Sequence, residues 1–264
     1  MDVFGLDIGG SGTKGAPVSA QSGELLKERV RIPTPEAATP DEVVAAAVEV
    51  ISSSGWSGPV GCGFPGVVKG GVVHTAANVA SEFIGFDLQS RLQKELDAPV
   101  RIVNDADAAG LAEMRWGAGR GVGGVVLMLT IGTGIGTALF LQGKLVPNME
   151  LGHIEMHGRE AELYASDRVR KVEDLSWREW AGRFEEYLQK MEALLWPDLI
   201  VVGGGVSKKS EKFLPRIQTR TRVVPAGMLN TAGIAGAALA YDIPEAYASP
   251  LPPTSSRAQG EGRL

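Results

Sequence analysis

The chain has 264 residues, a formal net charge of −5, 44% hydrophobic and 22% charged residues, a balance that suits one large or two modest soluble domains with substantial cores. The acidic balance argues against a general nucleic-acid binder. One cysteine, Cys62, rules out an internal disulfide and a cysteine-rich zinc site, and no apolar run approaches the ~20 residues of a membrane span. No basic-plus-apolar leader opens the chain, so a cytoplasmic protein without membrane or nucleic-acid partners is expected.

Val3 to Ile8 is an apolar run carrying one carboxylate, Asp7, and it breaks into Gly9-Gly10-Ser11-Gly12-Thr13-Lys14-Gly15. Pro17 follows closely, and proline cannot sit inside a helix, so this turn joins strand to strand. That excludes the dinucleotide fingerprint which Gly10 to Gly15 literally matches, because the fingerprint needs a helix after its turn. A Walker loop fails too, since Thr13 stands where glycine must precede the lysine. Two readings stay open: an ordinary glycine hairpin, or an anion grip with Ser11, Thr13 and Lys14 donating and Asp7 placed for a hydrated cation.

A further strand is predicted over 24–32, then a helix over 40–53, with Pro40, Asp41 and Glu42 in its first turn. Val60 to Phe64 reads as a buried strand, Gly70-Gly71 as a hairpin tip, and 87–96 as a helix with Leu88, Leu92 and Leu96 on one face. A strand over 100–103 ends at Asn104-Asp105, and 106–116 reads as a small-residue helix. A second glycine hairpin spans 125–141 around Gly132-Thr133-Gly134-Ile135-Gly136. Its Leu129-Thr130-Ile131-Gly132 lies on Leu6-Asp7-Ile8-Gly9, so each half opens with strand, glycine turn and strand, as an internal duplication would. Downstream come a helix over 176–195 capped by Ser176, a strand over 199–202 running into Gly203-Gly204-Gly205, and an Ala/Gly-rich helix over 231–241. Residues 249–264 have no periodicity and read as a disordered tail.

Three clusters could carry chemistry. Asn104-Asp105 sits where a strand ends and a helix begins; Asp105 is either a general base for phosphoryl transfer or part of a helix cap. Glu150-Leu-Gly-His153-Ile-Glu155-Met-His157 admits a metal site (His153, Glu155 and His157 on one strand face), a polyol site using Glu150, His153 and Glu162, or a solvated turn. Lys208, Lys212 and Arg216 fall on one helical face that is either solvated or follows a long anion, although Pro215 interrupts it.

In this order the motifs Asp7-Ile8-Gly9-Gly10, Gly63-Phe64-Pro65-Gly66, Asn104-Asp105-Ala106-Asp107, Leu129 to Gly134, Glu150-Leu-Gly-His153, Glu162 to Ser166 and Gly203 to Gly205 resemble the ROK (repressor, open reading frame, kinase) sugar-kinase family. Gly10 to Pro17, Arg31 to Pro35, Pro147-Asn148 and Gly205 to Lys209 are similar to its branch of polyphosphate glucokinases and glucomannokinases. The resemblance implies an α/β protein of the actin-like, ribonuclease H-like ATPase fold. Two lobes, 1–108 and 109–230, would flank a central cleft, with a helix over 231–246 returning to the first. It implies transfer of a phosphoryl group from polyphosphate or ATP to the 6-hydroxyl of glucose, with mannose left open as a second acceptor. A strictly ATP-dependent glucokinase and a non-catalytic sugar sensor are its alternatives.

Carried over position by position, Asp105 becomes the base, Asn78, Asn104, Glu150, His153 and Glu162 hold the sugar, and Asp7 orders Mg²⁺ through water. Gly9, Gly10, Ser11, Gly12, Thr13 and Lys14, with Thr130, Gly132, Thr133 and Gly134, hold donor phosphates. Gly204, Gly205, Lys208 and Lys209 line the groove for the rest of the donor. Many members carry a zinc held by cysteines after the Glu-x-x-His motif; this stretch has none, so no zinc is expected. A homodimer is the assembly the resemblance implies.

Overall fold

Residues 1–76 and 79–242 are described by the computed structural model; Asn78, the end of the 231–246 helix and the 249–264 tail lie outside them. In chain order the elements are β1 (Val3–Gly9), β2 (Gly12–Val18), β3 (Val30–Ile32), α1 (Pro40–Ser53), β4 (Val60–Phe64), β5 (Val68–Lys69), β6 (Val72–Val73), α2 (Leu88–Leu96), β7 (Val100–Asn104) and α3 (Asp105–Trp116). Then follow β8 (Val125–Ile131), β9 (Ile135–Leu141), β10 (Lys144–Val146), β11 (Glu155–Met156), β12 (Arg159–Glu160), α4 (Glu162–Ala165), α5 (Asp167–Val172), α6 (Trp177–Leu195), β13 (Leu199–Gly203), β14 (Arg222–Pro225) and α7 (Ala232–Ala240).

Local chemistry accounts for most boundaries. Thr39 caps α1 in a capping box with Glu42, and Pro40 supplies a pre-set first turn. Ser176 and Glu179 do the same for α6. The first glycine turn joins two antiparallel strands, with Gly9 opposite Gly12.

The duplication suggested by four residues is present in the topology. One sheet runs β3-β2-β1-β4-β7 and the other β10-β9-β8-β13-β14, the same order in each half. Register agrees as well: Asp7 of β1 faces Gly63 of β4, and Thr130 of β8 faces Gly203 of β13. Side chains alternate across each sheet, so the two halves aim equivalent positions at one cleft.

The layers follow from where each helix is apolar. Phe4, Leu6 and Ile8 pack on α1 and α2 on the outer face of the first sheet. Leu127, Leu129, Ile200 and Val202 pack on Trp180, Phe184 and Leu188 of α6 on the outer face of the second. Helices α3 and α7 fill the space between the sheets with Ala109, Ala112, Ile234, Ala235 and Ala238. This explains why α7 is built from alanine and glycine. At Gly5 and Gly61 a Cβ would run into the carbonyl oxygens of Ile234 and Ala237, and at Gly236 into that of Ala108.

Two sequence expectations need correction. The strand predicted over 24–32 is paired only at Val30–Ile32, with Leu25 making a single bridge to Val18, because the sheet ends here and residues 26–29 are exposed. The helical face of Lys208, Lys212 and Arg216 does not form. Residues Gly205–Lys212 make 3₁₀ turns kinked at Lys209, and Leu214–Arg216 make a separate turn around Pro215. Strands β10 and β14, each short and outermost in the second sheet, carry too little pattern to be read from sequence. Among the described residues no helix is long and apolar enough to cross a membrane.

Candidate active site

The centre of the site is the junction of β7 and α3. Asn104 is the N-cap: its Oδ1 accepts from the backbone N–H groups of Ala106 (2.8 Å) and Asp107 (3.1 Å), and its Nδ2 donates to the Gly66 carbonyl (3.1 Å). Both acceptor positions of the amide oxygen are thereby filled, leaving one N–H for a ligand. Asn104 takes the capping role, so Asp105 is free to turn its carboxylate into the cleft.

Two cavities meet there. The larger, about 570 Å³, is lined by Gly10, Asn104, Asp105, the 130–137 hairpin, Glu150, His153, Glu162 and Arg168. The smaller, about 410 Å³, is lined by Asp7, Lys14, Arg29, Arg31, Asp105, Gly203 to Gly205, Lys208, Met128, Ala226, Leu229, Ala232 and Gly233. Asp105, Thr130 and Gly204 line both. Gly204 has a positive φ of 75°, and a Cβ there would strike the backbone of Ile131.

Burial raises the Asp105 carboxyl to about 7, and the charges of Asp7 and then Glu150 push the same way against the Ala106 N–H. Such a group changes protonation near neutral pH, which is what a general base requires. Asp7 itself is paired with Lys14 at 3.0 Å, both on the paired strands of the first hairpin.

The polyol set converges. His153 Nε2 lies 3.4 Å from Glu150 Oε2, and its Nδ1 lies 3.2 Å from Glu160 Oε2. Burial works against protonating His153, but Glu160, Glu162 and Glu150 together hold its pKa above the ordinary value. Glu150 is raised by its own burial, with the His153 charge opposing. Glu162 accepts from the Ile135 N–H at 3.2 Å, close against Gly134. A brace holds this loop in place. Asp107 is 1% exposed and accepts from the Asn148 N–H at 2.8 Å, while the Asn148 side chain bonds both the N–H and the carbonyl of Val68 at 3.0 Å. The Thr137 hydroxyl bonds Met149 and accepts from Leu151 at 3.1 Å.

Other expected residues lie elsewhere. Gly9, Ser11, Gly12, Thr13 and Lys209 line neither cavity, whereas Gly205 lines the smaller one. Thr13 is buried at 1% exposure with a hydroxyl that has no partner among the described residues. Gly132, Thr133 and Gly134 line the larger cavity beside the polyol set. The metal grouping of His153, Glu155 and His157 does not form, because His153 ends a 3₁₀ turn and His157 turns away at φ 54° to pair with Glu186. Instead the ligand atoms of His153, Glu160 and Glu162 lie within 4.8 Å of one another. Sequence reasoning passed over Arg29, Arg31 and Arg168 as wall residues; isolated arginines on a loop, an edge strand and a six-residue helix carry no periodic signal.

Residues 3–165 match the model of the ROK family. The chain is 48% identical over 238 residues to a polyphosphate glucokinase of Mycobacterium tuberculosis, covering 90% of each chain. Its fold superposes on an inorganic polyphosphate/ATP-glucomannokinase from Arthrobacter sp. strain KM with a TM-score of 0.88 and 46% identity, covering 91% of this chain and 98% of that one. A ROK family glucokinase from Streptomyces griseus, solved with glucose and AMPPNP, superposes with a TM-score of 0.78 at 25% identity, over 90% and 98%. Matched by the family model over more than half of its length, the chain belongs to the ROK family of sugar kinases and has its actin-like α/β fold.

Proposed function

We propose that this protein transfers the terminal phosphoryl group of inorganic polyphosphate, and also of ATP, to the 6-hydroxyl of glucose, giving glucose 6-phosphate. The observation that carries the reading is Asp105, set at the meeting of a polyol-type cavity and a cationic cavity and tuned to about 7. Near-half identity to a polyphosphate glucokinase supports the choice of donor and acceptor.

In this reading glucose occupies the larger cavity, where Glu150, His153 and Glu162 meet its hydroxyls. Asp105 takes the proton of the 6-hydroxyl while its oxygen bonds to phosphorus and the bridging P–O bond breaks, so the donor leaves one phosphate shorter. Phosphoryl transfer proceeds through a loose transition state, so the protein contributes mainly alignment and charge neutralisation. Gly10 of the first turn and Gly132 to Gly134 of the second line the cavity in which the transferring group is met, and Lys14 stands beside Asp7 to meet its charge.

A Mg²⁺ ion fits Asp7. Its carboxylate faces the smaller cavity with the backbone of Gly233 packed against it, and Mg²⁺ favours one or two carboxylates plus phosphate oxygens and water. When bound, the ion supplies charge neutralisation on the donor oxygens. Mannose as a second acceptor, a cytoplasmic location and a homodimer belong to the same reading.

Initial rates of glucose 6-phosphate formation with polyphosphate and with ATP, at matched magnesium, test it. Product from both donors is expected. Product from ATP only overturns the polymer assignment, and glucose binding without product overturns the enzyme.

A further inference from the structure

We propose that Arg29 and Arg31 form the track along which polyphosphate leaves the cleft, and that they favour a polymer over a nucleotide. This rests on the reading of polyphosphate as a donor. The smaller cavity has two unlike walls. Met128, Ala226 and Leu229 of the second half, with Ala232 of α7, form an apolar one. Lys14, Arg29 and Arg31 of the first half, with Lys208 of the second, form a cationic one.

The cations differ in what already occupies them. Lys14 is paired with Asp7 at 3.0 Å. Among the described residues Arg29, Arg31 and Lys208 have no carboxylate within 4.0 Å. Arg31 is nonetheless held in place: its Nη2 donates to the Ser11 carbonyl at 2.7 Å, and Gly12 leaves the space its guanidinium fills. A Cβ at Gly12 would sit 2.9 Å from Arg31 Nε. A guanidinium fixed by its own hairpin keeps its remaining N–H groups for an oxyanion. Both arginines lie at the open edge of the first sheet, Arg31 within β3 and Arg29 just before it, so the cationic wall leads outward.

The basic residues further along the chain point elsewhere. Lys209 is the kink of its 3₁₀ segment and lies outside the cavity wall. Lys212 sits over the Trp177 ring at 5.9 Å, and Arg216 donates to the Lys212 carbonyl at 3.1 Å. They cover α6 rather than extend the groove.

The chemistry of the two donors makes this wall selective. A nucleotide changes from charged phosphates to an uncharged nucleoside after its third phosphate. A polyphosphate carries the same charge beyond that point, where cations can continue to neutralise it. Arg29 and Arg31 therefore discriminate by what lies beyond the reacting phosphates, without touching the transfer itself.

Arg29→Glu and Arg29→Gln, with Arg31→Lys as the conservative change, test the track in the full-length protein. Binding of long-chain polyphosphate is measured by calorimetry across a range of salt, beside kcat/KM for polyphosphate and for ATP. Arg29→Glu is expected to weaken polyphosphate binding at least ~10-fold more than it lowers kcat/KM for ATP, since reversing a charge adds repulsion to a lost contact. Arg29→Gln lowers the slope of log affinity against log salt by about 0.7, the share of one cation on a flexible polyanion, and Arg31→Lys stays between it and the unmodified protein. Equal losses on both donors, or unchanged polymer binding and salt slope, overturn the proposal. Because binding is read without turnover, a protein that binds the polymer but does not transfer from it fails the functional reading while still deciding this one.

Discussion

Replacing Asp105 by asparagine tests the central claim in two independent ways. Burial and the Asp7 charge raise this carboxyl from 3.8 to about 7. About three pKa units at 1.36 kcal/mol each set a ceiling of ~4 kcal/mol on what ionised Asp105 costs the free protein. The carboxylate is partly open to the cleft, so screening halves this to ~2 kcal/mol. The sign follows from linkage: between the unfolded and folded pKa values the folded chain binds more protons, so its stability falls as pH rises from about 4 to about 7. Asparagine removes that cost but also a negative charge at the start of α3, worth ~0.3–1 kcal/mol. Asp105→Asn is therefore about 1–2 kcal/mol more stable at pH 8, a rise of ~2–6 °C in Tm, and the gain shrinks at pH 5. Its kcat falls by ~10²-fold or more, the lower range for a positioned base. Thermal unfolding in metal-free buffer at both pH values, with glucose 6-phosphate formation alongside, makes the measurement. Near-normal turnover refutes the base, and a gain that is absent at pH 8 or constant with pH refutes the buried-carboxylate argument.

Asp7→Asn is expected to lower the upper end of the pH range over which the metal-free protein loses stability, because the Asp7 charge is the second largest cause of the raised Asp105 value; thermal unfolding in metal-free buffer across pH 4 to 8 checks this. The same variant needs more Mg²⁺ for half-maximal rate. Asn148→Ala removes two side-chain bonds to Val68, each worth about 1 kcal/mol, and raises KM for glucose more than it lowers kcat, whereas equal changes would leave the brace without a role at the sugar. Gly61→Val drives a side chain into the Ala237 carbonyl and costs at least ~3 kcal/mol, read as a lost or strongly lowered denaturation midpoint.

How much was legible beforehand differs from residue to residue. The capping boxes of α1 and α6 are local: Thr39 with Glu42 and Ser176 with Glu179 need only their own turn, so both helices could be bounded from sequence. The glycine turns were legible as strand–turn–strand because Pro17 excludes a helix. The match of Leu129 to Gly132 with Leu6 to Gly9 pointed to the duplicated sheets, since repeated topology repeats its turns. The basic face after Gly205 was misread because periodic spacing cannot reveal a kink at Lys209.

By itself, then, the sequence determined most of the element types, the two glycine hairpins, the Asn104-Asp105 junction and membership of the family. These depend on contacts within a few residues, or on motifs kept in order along the chain. Tertiary structure decided what those residues do together. It divided the Asn104-Asp105 pair into a cap and a free carboxylate, and it raised that carboxylate by burial and by Asp7, which is distant in sequence. It turned His157 away from His153 to pair with Glu186 and brought Glu160 against His153. It also set Arg29 and Arg31 on the wall beside Lys14 and Lys208. Burial, long-range charge and cavity walls are properties of approach between distant segments, and no local pattern encodes them.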